Sequence, residues 1–93
     1  MRGIPVMQGF GVPVCFDATH AVQLPGGQGT SSGGQREFIP TLAKAALGAG
    51  ANCLFMEAHP NPTQAKSDGA NMLRLDLLEG LLQQLVKLRK AVI

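Results

Sequence analysis

Two acid–histidine pairs stand at matching places in this chain. Asp17 and His20 close the apolar run Val12-Pro13-Val14-Cys15-Phe16, just ahead of a Pro25-Gly26-Gly27 break. Glu57 and His59 close a second run, Asn52-Cys53-Leu54-Phe55-Met56, and Asp68 follows in Lys66-Ser67-Asp68-Gly69. Each pair has an ordinary reading, because an acid at a strand end caps the next turn and a histidine can simply be a hydrogen-bonding group. The repetition shifts the weight towards chemistry. In α/β proteins the carboxyl ends of parallel strands carry the ligand site. One imidazole nitrogen with two carboxylates is also a set suited to a divalent cation. Their spacing is not a local motif, so the pattern alone does not specify a reaction.

Other chemistry is poorly supported. Gly29 and Gly34 have the glycine spacing of a P-loop, but Gln35-Arg36 stands where Lys and Ser/Thr are required. No G-x-S-x-G elbow offers a serine nucleophile. Cys15 and Cys53 both lie inside apolar runs and read as reduced core thiols of a cytosolic protein.

The elements that must position these residues follow from patterning. Arg2 to Phe10 reads as the tail of a helix closed by Gly9 and Gly11. Buried strands are expected at about 12–17 and 52–57, with a helix between them from about Gln35 to Leu47 or Gly48. Phe38, Leu42, Ala45 and Ala46 would line the face of that helix, with Pro40 in its first turn. A last helix over 76–91 has Asp76 and Glu79 in capping-box spacing, and Leu78, Leu81, Leu82, Leu85, Leu88 and Val92 as its apolar stripe. Lys87, Arg89 and Lys90 then complement the dipole of an exposed helix end. Pro25 to Gly34 is a Gly- and Ser-rich loop, open to reading as a mobile lid or as a surface linker. Two strands about 40 residues apart suit a parallel pair with a right-handed crossover.

Bulk composition narrows the classes. Ninety-three residues make one small domain. Only 15% are charged and 45% are hydrophobic, against about 25% charged in soluble domains, so much of the surface is expected to be covered in a larger α/β fold. A net charge of +2, with neither Tyr nor Trp, argues against nucleic acid. No apolar stretch approaches the roughly 20 residues of a membrane span. The N-terminus, broken by Gly3, Pro5 and Gln8, does not read as a signal peptide. The expected location is the cytoplasm.

The strings FDATHAVQLPGG, SSGGQREFIPTLAKAALGAGANCLFMEAHPNP and AKSDGANML, in this order, strongly resemble the carboxyl-terminal third of the 3-deoxy-D-manno-octulosonate 8-phosphate synthases. These belong to the DAHP synthase/KDO-8-phosphate synthase family. The resemblance runs along essentially the whole chain. It implies an α/β fold, the last two strand–helix units of a (β/α)8 TIM barrel roughly three times this length. Residues 1–93 would be a single partial barrel domain, from the end of helix six through helix eight. The implied reaction condenses phosphoenolpyruvate with D-arabinose 5-phosphate and water, and releases phosphate, in lipopolysaccharide sugar biosynthesis.

Carried over by position, the resemblance makes His20, Glu57 and Asp68 metal ligands, with His20 and Asp68 also catalytic. Gln23 and His20 become substrate-binding, and Pro25, Gly26, Gly27, Gly33 and Gly34 belong to the loop that closes the site. The implied cofactor is a divalent ion of the Zn, Fe or Mn class. A metal-independent branch also exists, and Ser67, where that branch tends to carry Cys, tilts the reading to the metal-dependent one. A homotetramer is implied for the full-length enzyme. Alone, the chain is expected to be inactive, since most phosphate-binding residues lie elsewhere in the family's barrel. Two rivals stand beside this reading. One is the sister synthase making the seven-carbon 3-deoxy-D-arabino-heptulosonate 7-phosphate; the other is a non-catalytic fragment acting as an assembly piece.

Overall fold

The computed structural model describes residues 1–28, 31–61 and 72–92. Its elements are α1 (Gly3–Gln8), β1 (Cys15–Asp17), a 3-10 turn (His20–Val22), β2 (Gln23–Gln28) and β3 (Ser31–Gly34). A second 3-10 turn (Arg36–Phe38) runs into α2 (Ile39–Gly48), followed by β4 (Cys53–Phe55), β5 (Ala58–His59), β6 (Leu73–Arg74) and α3 (Leu75–Val92). The fold is α/β.

The central pairing is parallel, as expected. Cys15 faces Cys53, Phe16 faces Leu54 and Asp17 faces Phe55, with α2 in the crossover. Both strands are shorter than the apolar runs imply. Pro13 has no N–H, and the Val14 amide donates to the side-chain Oδ1 of Asn52 at 2.8 Å rather than to a neighbouring carbonyl. Asn52 Oδ1 also accepts from Gln8 Nε2 at 3.0 Å, and the same Gln8 nitrogen donates to Gly50 O at 2.7 Å. One amide pair thus ties α1 to the turn between α2 and β4. Gly50, at φ 97°, makes that turn in the left-handed region where a Cβ is strained.

Strand alternation decides what is buried. Val14, Phe16 and Leu54 point into two apolar clusters built with the helices, one on Ile4, Ala46 and Ala51 and the other on Ile39, Ala43, Leu47, Leu81 and Leu85. The odd positions turn the other way. Cys15 and Cys53 are exposed, and Phe55 is 48% exposed. The expectation of strands buried on both faces, with core thiols, is therefore corrected. Helices cover one face of the pair, and among the described residues no helix packs on the other.

Helix registers also differ from the sequence reading. In α2 the buried residues are Ile39, Ala43, Ala46 and Leu47, whereas Phe38 and Ala45 are exposed. The 3-10 turn before Ile39 advances the chain by a larger angle per residue than an α-helix does, which rotates the buried stripe. Pro40 does fall in the first turn. Helix α3 starts at Leu75, so Asp76 lies inside it and accepts two hydrogen bonds from the Arg74 guanidinium, at 3.2 and 2.9 Å, instead of capping. Leu81 and Leu85 are buried with Leu78 and Leu88 packed beside them, while Leu82 and Val92 are exposed. Arg89 is more than a solvated end, because its Nη1 donates to Ala51 O at 2.9 Å.

The Gly-rich segment is built as an antiparallel hairpin rather than an unstructured loop. Gln23 pairs with Gly34, Leu24 with Gly33 and Gln28 with Ser31, with a register irregularity between Leu24 and Gln28. That irregularity spans Pro25, which cannot donate to a ladder, and Gly26 and Gly27. Gln35 N donating to Val22 O at 3.0 Å closes the base. A further short parallel pair, Ala58–His59 with Leu73–Arg74, was not legible as strands in the sequence.

Candidate active site

The site begins where β1 ends. Asp17 Oδ1 accepts from the amides of Thr19 (3.1 Å) and His20 (3.0 Å) and from the Thr19 hydroxyl (3.0 Å). This is an Asx turn, and it carries the chain from the strand into the 3-10 turn that holds His20. The capping reading of Asp17 is thus correct, and it does not compete with chemistry. The second carboxylate oxygen, Oδ2, lies 2.6 Å from His20 Nδ1.

Partial burial would push the Asp17 carboxyl up, but hydrogen bonds from the His20 amide, the His20 ring and Thr19 outweigh it and hold the group below the usual aspartate range. An ionised Asp17 accepts the Nδ1 proton, which fixes the ring so that Nε2 faces Glu57. Thr19, only 1% exposed, anchors the turn from beneath. The Phe55 ring stacks on the imidazole, with centroids 6.3 Å apart and planes at 28°.

Across the strand pair, Glu57 Oε1 stands 3.6 Å from His20 Nε2. This is too long for a hydrogen bond. It does match the roughly 3–4 Å between donor atoms that share an ion at about 2.0–2.2 Å. The other predicted residues fall as follows. Gln23 opens β2 opposite Gly34; Pro25, Gly26 and Gly27 are in β2; Gly33 and Gly34 are in β3. Asp68 and Ser67 lie outside the described residues. Among the described residues no group of three or more His, Cys, Asp or Glu side chains is arranged to hold a metal ion. His59 does not join the site, since its Nδ1 accepts from the Asn61 amide at 2.9 Å.

The sequence reading missed two contributors. Phe55 was seen only as a strand residue, although a parallel β1–β4 register puts it opposite Asp17. Thr19 was given no anchoring role, although the Asp-x-Thr spacing signals one.

The same stretch of sequence carries the family relationship. The chain belongs to the DAHP synthetase I family, matched over residues 1–93. It is 63% identical over 92 residues to a protein of Protochlamydia amoebophila named 2-dehydro-3-deoxyphosphooctonate aldolase, covering 99% of this chain and 34% of that one. It is 62% identical to 2-dehydro-3-deoxyphosphooctonate aldolase 1 of Burkholderia pseudomallei, covering 99% of this chain and 32% of that one. The chain thus spans about a third of the length of these relatives. Among solved structures it resembles a phospho-2-dehydro-3-deoxyheptonate aldolase (DAHP synthase) from Thermotoga maritima, with a TM-score of 0.76 and 31% identity over 95% of this chain and 23% of that one. A truncated form of the Thermotoga 3-deoxy-D-arabino-heptulosonate 7-phosphate synthase gives the same score and identity, with 30% of its chain covered.

Proposed function

We propose that this chain forms the last two strand–helix units of a (β/α)8 barrel that condenses phosphoenolpyruvate with D-arabinose 5-phosphate and water. The products are 3-deoxy-D-manno-octulosonate 8-phosphate and phosphate. The observation carrying this reading is the placement of His20, fixed by Asp17 and turned to Glu57 at the carboxyl ends of paired parallel strands. Several large apolar side chains left exposed, Phe10 at 82% and Val12 at 52% among them, support a chain that packs against further barrel elements. Its place is the cytoplasm, and no helix among the described residues is long and apolar enough to cross a membrane.

The residues present fit a divalent ion of the Zn, Fe or Mn class. His20 Nε2 and Glu57 Oε1 supply a nitrogen and an oxygen at a suitable separation, and Asp68 is the third proposed ligand. Bound there, such an ion would polarise the aldehyde of the sugar phosphate and favour activation of water. The chain's own residues have separate tasks. Asp17 holds the His20 tautomer and ring angle, Phe55 buttresses the ring, and Gln23 begins the hairpin proposed to close over phosphoenolpyruvate. Closure would keep bulk water from the reacting centre.

The seven-carbon synthase is the rival in the same chemistry. Identity of 62–63% to the octonate enzymes, against 31% to the heptonate structures, favours the eight-carbon reaction. The test is a chimera in which these 93 residues replace the matching third of the Protochlamydia relative. It should consume arabinose 5-phosphate with phosphoenolpyruvate; preference for erythrose 4-phosphate would overturn the assignment.

A further inference from the structure

Three donors converge on one oxygen of Asp17. The Thr19 amide (3.1 Å), the Thr19 hydroxyl (3.0 Å) and the His20 amide (3.0 Å) all reach Oδ1, while Oδ2 is left to the His20 ring at 2.6 Å from Nδ1. The two amides come with the turn whatever side chain stands at 19, because an Asx turn needs only backbone donors. The third donor requires a hydroxyl there. Thr19 is 1% exposed, the one polar side chain buried among the described residues, so its hydroxyl bond is closed to bulk water. β-branching restricts χ1 of threonine, and the backbone path that places Thr19 therefore also aims its oxygen. The χ2 torsion of aspartate is soft. A third fixed donor on Oδ1 stops the carboxylate plane from turning.

We propose that the Thr19 hydroxyl is a positioning group for cation binding by His20. By fixing the plane of the Asp17 carboxylate, it sets the direction in which Nε2 faces Glu57 Oε1, 3.6 Å away. The inference rests on the reading of His20 and Glu57 as ligands under the proposed function. Thr19 acts through Asp17 and is not itself a ligand. Removing its hydroxyl should therefore weaken binding of the ion only while the Asp17 carboxylate is present.

The test measures manganese(II) binding to the metal-free chimera with the Protochlamydia relative, from the electron paramagnetic resonance signal of the free ion. Thr19→Val keeps the branching of the side chain and removes the donor; it should weaken binding about three- to tenfold. Thr19→Ser keeps the donor and should bind within about twofold of the unsubstituted chimera. In an Asp17→Ala background, Thr19→Val should have almost no further effect, because members of one hydrogen-bond network are non-additive. Unchanged binding by the Val variant, weakened binding by the Ser variant, an undiminished Val effect in the Asp17→Ala background, or a Val variant that fails to fold would each overturn the positioning role and leave the ligand reading standing. A His20→Ala chimera that binds manganese(II) with the original affinity would overturn the ligand reading, and this inference with it.

Discussion

Asp17 Oδ2 and His20 Nδ1 approach to 2.6 Å within one turn, and the same carboxylate holds the His20 amide through its other oxygen. Ring orientation and backbone path are therefore set by one side chain. In the chimera, Asp17→Asn should lower divalent-metal affinity about 10–100-fold, the range seen when a ligating histidine loses its outer partner. His20→Ala and Glu57→Ala should lower metal content and activity together, measured by elemental analysis and product formation. Full activity after chelation would defeat the metal assignment.

The lowered Asp17 carboxyl predicts a pH dependence of stability. A group whose folded pKa is depressed stabilises the fold fully above its unfolded value, about 3.9, and loses that contribution as pH falls through the lower folded value. Chemical denaturation of the wild-type chain and the Asp17→Asn variant should therefore give a stability gap that is constant near neutrality and narrows below about pH 4. A gap that widens in acid would contradict the hydrogen-bond assignment.

Gly50 and Gly48 should respond oppositely to alanine. At φ 97° Gly50 cannot take a Cβ without strain, so Gly50→Ala should cost about 1–2 kcal/mol. Gly48 ends α2 with open space where a Cβ would stand, so Gly48→Ala should be neutral or stabilise by up to about 1 kcal/mol. Thermal melts of the two variants decide this.

Leu81 is 5% exposed and sits in the larger cluster with Ile39, Ala43 and Leu85. Leu81→Ala should destabilise by about 2–5 kcal/mol. Leu82→Ala, at a position 43% exposed, should cost much less. Urea titrations that rank them the other way would show that α3 packs through a different face.

Much of the frame was legible because apolar runs and helical periodicity are local signals. The parallel β1–β4 pair, α2 between them and the long α3 all follow from such patterns. The misread parts depend on contacts between distant residues. Strand ends were set by the Asn52 side chain, and the α2 stripe by a 3-10 turn. The strands β2 and β3 are held by cross-strand pairing that their Gly-rich composition argues against. In the site, Asp17 and His20 were readable from three-residue spacing, whereas the approach of Glu57 to His20 needed the strand register. Cys15 and Cys53 read as core because their neighbours are apolar, yet alternation turns them to the face that the helices leave uncovered in this chain.

The parallel register also imposes an order in time. Cys15 and Cys53 cannot come opposite one another until the residues between them have been made and folded back. On a ribosome, Asp17 can seize His20 within a single turn as soon as both emerge, while Glu57 arrives only after α2 and β4. Closing so long a loop is slow unless the intervening chain shortens it. Helix α2 takes up ten residues of that loop, so the His20–Glu57 edge is built from two groups that meet only through the folded segment between them.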